Sequence, residues 1–220
     1  MNADVLPILV EGDERLRRPA APVETLDAEV RTSIARAFAT LADFRTRHGF
    51  GRALAAPQLG IPLRLVAVDL GAGPFAVINP EITWKSAETF EVWDDCFSVP
   101  DRIVRVLRHR SISLTYRDER FRPRRWDRLP PDLAELLQHE VDHLDGILML
   151  DRAHGENAVR PSVDRSLVDS ARPAHRLSLE RIAEAARLVD PVFLHSPQFV
   201  CEPLSFALGL SLTLKVETVN

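Results

Sequence analysis

Cysteine, lysine and tyrosine are all scarce. Cys96 and Cys201 are the only cysteines in 220 residues, too few for a disulfide-built scaffold. Only Lys85 and Lys215 among the 28 basic residues are lysine, which resembles codon bias and carries no functional reading. No apolar run approaches the ~18 residues that cross a bilayer, so a membrane span is not expected. Met1 to Pro7 shows no basic stretch followed by an apolar one, so no secretory leader is expected, and a reducing cytoplasm is the expected compartment. An excess of positive charge is missing as well. The formal net charge of −4 excludes the strongly basic balance of a dedicated nucleic-acid binder. What is present, 45% hydrophobic and 27% charged residues, suffices for a real core. At ~150 residues per domain, the length suits one domain plus a remnant as well as two small ones.

Hydrophobic spacing predicts an amphipathic helix over 27–47, through Val30, Ile34, Ala37, Phe38, Leu41 and Phe44, with Asp27 as N-cap and the glycines after His48 as the stop. Leu63 to Leu70 reads as a strand. Phe75 to Ile78 reads as another, closed by Asn79-Pro80, and Ser111 to Tyr116 alternates like a half-buried third. Pro130-Pro131-Asp132 opens a second helix that ends near Gly146. Strands scattered around two helices, with no βαβ rhythm, predict an α+β fold.

The sharpest chemical signal lies on that second helix: His139-Glu140-Val141-Asp142-His143. Histidines at i and i+4 share a helix face and can reach one metal ion, while the glutamate between them can act as general base on water that the ion activates. Two unrelated histidines on a helix are the plain alternative. A site of this kind needs a third protein ligand and an open corner. His154, His175 and His195 follow, and Cys96 precedes, in Trp93-Asp94-Asp95-Cys96-Phe97-Ser98. One thiolate and two imidazoles would suit Zn²⁺ or Fe²⁺; a buried structural thiol is the ordinary fate of a lone cysteine. A third segment, Gly49-Phe50-Gly51-Arg52-Ala53-Leu54-Ala55-Ala56-Pro57-Gln58-Leu59-Gly60, has small residues that admit close backbone approach and an amide that could face an oxyanion.

In this order and spacing the three segments resemble the signature motifs of the peptide deformylases: a Gly-rich run ending Ala-Ala-Pro-Gln-x-Gly, a Glu-Gly-Cys-Leu-Ser segment and a His-Glu-x-x-Asp-His helix. The resemblance covers about residues 5–152. It implies a deformylase-like α+β fold, with mixed and antiparallel strands around a central metal-binding helix. It also implies that Cys96, His139 and His143 hold Fe²⁺, with Zn²⁺ or Ni²⁺ able to substitute. Glu140 would shuttle the proton, and Gln58 and the backbone N–H of Phe97 would stabilise the oxyanion. The substrate would be an N-formylated nascent peptide. Asp142, beside His143 in sequence, is expected to have a structural or orienting role.

Three departures touch the implied substrate pocket, formed by Gly51, Arg52, Ala53, Asp95, Glu135 and Leu136. Asp95 stands where the family motif has Gly; Arg52 and Ala53 replace an apolar residue and Gly; Glu135 replaces an apolar residue one turn before His139. Charges beside an apolar pocket are costly unless paired. The expectation is therefore either that Arg52 and Glu135 pair and reshape the pocket, or that both turn to solvent. A non-catalytic metal-binding module and a hydrolase of other N-formyl or N-acyl amines are the alternative functions.

Residues 153–175 read as a linker and Ser178 to Val189 as a helix, with a strand over Leu210 to Val216. The segment 176–220 resembles the truncated start of a threonine-dehydratase-type pyridoxal-phosphate enzyme. It stops before that family's Schiff-base lysine, so no pyridoxal-phosphate site is expected. Arg102 to Arg128 holds ten arginines, which read as the solvated face of strands or, less simply, as a patch for ribosomal RNA.

Overall fold

The structure is a computed structural model, which describes residues 4–164, 168, 198–200 and 213–215. The chain divides into two compact units, Met1–Arg172 and Pro173–Asn220.

The first helix, α1, spans Ala28–His48. The Asp27 side chain accepts from the Val30 N–H at 2.8 Å, satisfying one of the unpaired donors of the first turn. Gly49, with φ +75°, ends the helix as a left-handed cap. Val30, Ile34, Ala37 and Leu41 form the buried stripe, as their spacing predicts, while Phe38 and Phe44 stay half-buried.

Five antiparallel strands follow in the order β1 (Ala53–Ala55), β2 (Leu65–Asp69), β3 (Pro74–Lys85), β6 (Ile112–Arg117) and β7 (Pro123–Trp126). A three-stranded antiparallel sheet comprises β4 (Thr89–Cys96), β5 (Val99–His109) and β8 (Val159–Pro161). The second helix, α2, spans Pro131–Leu144. Both faces of β2 are covered. Val66 and Val68 pack with Leu136, Leu137 and Leu144 of α2, while Leu65 and Ala67 face clusters that hold Ile34 and Leu41 of α1. The five-stranded sheet thus lies between the two helices, and α2 is central, as the α+β reading expects. Gly146 allows the exit from α2. Its φ is +75°, and a Cβ there would lie 2.5 Å from the Arg17 carbonyl oxygen.

Two expected boundaries are corrected. β3 does not close at Asn79-Pro80 but continues to Lys85. Asn79 takes φ +49° at a register shift between Ile78 and Glu81, and this bulge absorbs the proline's missing donor. The Asn79 amide also holds Val23 through two hydrogen bonds of 2.8 Å. The stretch read as a linker from residue 153 opens as structure. β8 pairs with β5, the Arg105 N–H donates to the Ala158 carbonyl at 2.7 Å, and Ala158 is buried. Backbone pairing, which needs few apolar side chains, holds this edge strand.

In the second unit, β9 (Gln198–Val200) pairs antiparallel with β10 (Thr213–Lys215), the latter inside the strand expected over 210–216. The helix expected over 178–189, Cys201, His175 and His195 lie outside the described residues, as does most of the segment 176–220. No helix among the described residues is long and apolar enough to cross a membrane.

Candidate metal centre and active site

Cys96 ends β4, and His139 and His143 sit one turn apart on α2, so a strand and a helix each bring part of one donor set. The Cys96 Sγ lies 3.2 Å from the His143 Nε2, which lies 3.1 Å from the His139 Nε2, and all three atoms fall within 4.8 Å of one another. Two nitrogens bound at ~2.05 Å to one tetrahedral ion stand about 3.3 Å apart, so the imidazole spacing fits a shared cation. A thiolate and two imidazole nitrogens, all buried, form a donor set of the kind that Zn²⁺ and Fe²⁺ take. Of the other histidines weighed as a third ligand, His154 lies apart from this group, 3.7 Å from Glu91.

Behind the donors lies a charged network. Asp94, two residues before Cys96 and on the same strand face, accepts from the His139 Nδ1 at 2.9 Å. That bond keeps the proton on Nδ1, so Nε2 is the nitrogen that would give up its proton to a cation. Arg108 donates to Asp94 at 3.0 Å and to Asp142 at 2.5 Å, and Arg152 donates to Asp142 at 2.7 Å. Burial opposes ionisation of Asp94, but His139 and Arg108 outweigh it and hold the carboxyl well below its ordinary range. Burial likewise opposes charge on His139, yet Asp94 raises its pKa well above the usual value. His143 is driven the other way by burial and by His139, which push its pKa well below the usual value.

Glu140 is buried, and its Oε2 has no hydrogen-bond partner among the described residues. Burial, partly offset by His139, pushes its pKa up to about 7. Gln58 is fixed at both ends of its amide: its Oε1 accepts from the Ala55 N–H at 2.9 Å and its Nε2 donates to the Ser98 Oγ at 3.1 Å, with Cys96 Sγ 3.7 Å from that nitrogen. Phe97 follows Cys96 at the turn into β5, and its ring stacks on Phe44 at a centroid distance of 3.8 Å. Gly51 has φ +122°, and a Cβ there would meet the Phe97 ring at 2.8 Å.

The structure brings the sequence-predicted residues to one place. Gly51, Arg52, Ala53, Gln58, Asp95, Phe97, Glu135, Leu136 and Glu140 line a single cleft with Cys96 and His139, and the His143 ring completes the donor set beneath it. Arg52 and Glu135 form an ion pair, and the Arg52 Nη1 also donates to the Asp132 carbonyl at 2.9 Å. Asp95 needs no left-handed backbone, since its φ is not positive; a register shift between Asp95 and Cys96 takes up the irregularity.

Sequence reasoning missed the roles of Asp94 and Arg108. The sequence places Arg108 among the solvated arginines, but in the structure it is only 4% exposed. The signal was the two-residue period of β5, where Val104, Val106 and Arg108 share the buried face. Of the ten arginines between Arg102 and Arg128, nine engage carboxylates, carbonyls or aromatic rings within the fold, and seven of the ten remain exposed, as a solvated strand face requires.

Comparison with known proteins agrees with this geometry. Residues 5–158 match the family model described as polypeptide deformylase. The peptide deformylase of Prosthecochloris aestuarii is 38% identical over 175 residues, which cover 76% of this chain and 89% of that protein. The crystal structure of the Thermotoga maritima peptide deformylase superposes with a TM-score of 0.63 at 37% identity, covering 69% of this chain and 99% of that one. A Met-Ala-Ser-bound peptide deformylase from Acinetobacter baumannii gives a TM-score of 0.60 at 28% identity over 68% of this chain and 99% of that one. With a shared thiolate–imidazole donor set, a buried glutamate beside it and relatives matched along nearly their whole length, the chain belongs to the polypeptide deformylase family, metal-dependent hydrolases that remove N-formyl groups from peptides.

Proposed function

We propose that Cys96, His139 and His143 hold a divalent ion, natively Fe²⁺ with Zn²⁺ or Ni²⁺ able to replace it, and that Glu140, Gln58 and the Phe97 backbone N–H carry the hydrolysis of N-formylated nascent peptides in a reducing cytoplasm. The observation that carries this reading is the convergence of the three donor atoms within 4.8 Å beside a buried, unpaired Glu140 oxygen. The ion's contribution is Lewis acidity, which lowers the pKa of water and polarises the formyl carbonyl. Glu140 accepts the proton of the attacking water; a carboxyl near neutrality can both take that proton and return it. It then delivers the proton to the amine nitrogen as the C–N bond breaks, giving formate and a free N-terminus. Gln58 offers its Nε2 N–H, and Phe97 its backbone N–H, to the carbonyl oxygen as negative charge develops there. The Ala55 and Ser98 contacts of Gln58 hold its amide in advance of reaction. The Met-Ala-Ser bound to the Acinetobacter neighbour is what deformylation of formyl-Met-Ala-Ser would leave, which supports a peptide substrate of this kind.

The test is formate release from formyl-Met-Ala-Ser by protein purified anaerobically with Fe²⁺, beside Glu140→Gln. Loss of the carboxylate should lower kcat by about 10²–10⁴-fold while the metal stays bound. Equal turnover in the two proteins would remove Glu140 from the reaction, and no turnover in either would favour a non-catalytic module.

A further inference from the structure

Building on the deformylase reading, we propose that the Arg52–Glu135 ion pair makes this protein favour formylated N-termini whose first side chain forms hydrogen bonds, glutamine above methionine. The formyl carbon has to reach Glu140 and the three donors. The first side chain, attached one atom beyond the formylated nitrogen, then has to enter the cleft that adjoins them. That cleft is lined by Arg52 and Glu135 together with Ala53 and Leu136.

Arg52 stands just before β1, and Glu135 precedes His139 by one turn on the same face of α2. The guanidinium reaches from one wall to the other, binding the Glu135 carboxylate through Nη2 and the Asp132 carbonyl through Nη1 at 2.9 Å. The Glu135 side chain keeps 8% of its exposure and that of Arg52 keeps 24%, so the pair is largely desolvated and still opens toward the cleft through its arginine. Separating such a pair leaves a buried charge alone, so the pair stays in place when substrate binds.

A methionine side chain laid against this wall strips the remaining water from Arg52 and returns no hydrogen bond. Glutamine has the same chain length. Its methylenes can rest on Leu136 and Ala53, while its carbonyl can accept from a guanidinium that has five donors. A wall built to hydrogen-bond discriminates against an isostere that lacks the polar group far more strongly than an apolar wall discriminates by one methylene.

The experiment measures kcat/KM for formate release from formyl-Gln-Ala-Ser, formyl-Met-Ala-Ser and formyl-norleucine-Ala-Ser, using the full-length Fe²⁺-loaded protein. Glutamine is expected to exceed methionine, and to exceed norleucine by about tenfold or more. The double variant Arg52→Leu/Glu135→Leu removes both charges together, and the methionine-to-glutamine ratio should rise by about tenfold or more. Should the variant not fold, the wild-type panel decides alone. A wild-type kcat/KM on methionine equal to or higher than that on glutamine overturns the proposal and leaves the deformylase reading standing. Absence of formate from all three peptides, with metal bound, overturns the deformylase reading and this proposal with it.

Discussion

Arg108 sits between two buried carboxylates, with one Nη on Asp94 and the other on Asp142. Its role is positional: it holds Asp94, which holds His139, so the imidazole proposed as a metal ligand is oriented through two charge-assisted bonds. Replacement by methionine keeps the apolar stem and removes the charge. Asp94 then faces its burial with His139 alone, and Asp142 retains Arg152. Affinity for Zn²⁺, read by competition with a chromogenic chelator, should fall about 10–100-fold. Stability to urea should fall by about 3–5 kcal/mol. Unchanged Zn²⁺ affinity alongside lower stability would mean that Arg108 supports the core without orienting the ligand. The two imidazoles were legible in the sequence because helical spacing alone sets His139 and His143 on one face, and Cys96 joined them only through the resemblance to the family motif. Arg108 was not, because ten arginines in one stretch conceal which single one a strand turns inward.

The same contrast runs through the elements. α1 and α2 were legible nearly to the residue, since each combines an apolar stripe with a local stop or start: Asp27 and Gly49 for α1, Pro131 and Gly146 for α2. The strands were less so. The β4–β5 hairpin is fixed by cross-strand register, and β8 by pairing to its neighbour, and neither interaction is local in sequence. β7 follows a turn whose organiser is Asp118. Its carboxylate accepts from the Arg120 and Arg122 N–H groups, each at 2.9 Å, and from the Arg124 Nε at 2.8 Å. The Arg122 backbone bond first, then Arg124 and the Arg120 N–H, hold its pKa at about 2, against 3.8 as an ordinary aspartate. The folded value is the lower one, so the stabilisation is present above pH ~4 and is lost as pH falls toward 2. Thermal melts should therefore show Tm level at mildly acidic pH and dropping between pH 4 and 2. In Asp118→Asn, Tm at neutral pH should be lower by a few degrees and the drop shallower. A drop of equal steepness in the variant would assign the acid sensitivity to other carboxylates.

At the scale of the molecule, the site adds a tie between the hairpin sheet and α2, beside those of Arg108 to Asp142 and Gln138 to His109. Cys96 belongs to the hairpin sheet, and the two histidines belong to the helix packed against the other sheet. An ion held by all three therefore cross-links two layers, and it stabilises the folded chain because the unfolded chain offers no preformed set. Free Zn²⁺ at about 100 times its Kd contributes ~2.7 kcal/mol by mass action. For a chain of this size that corresponds to a Tm shift of roughly 5–11 °C. Scanning calorimetry with Zn²⁺, and again after chelation, should give that difference. Cys96→Ala should lose most of it, while the chelated protein melts lower only by the cost of one buried sulfur removed from the cluster of Val92, Val99, Val104 and Met149. A Tm indifferent to chelation would mean that the hairpin and helix are already locked by the Asp94–Arg108–Asp142 network, with the ion adding chemistry but no cohesion. An equal shift in Cys96→Ala would place the stabilising ion at ligands other than these three.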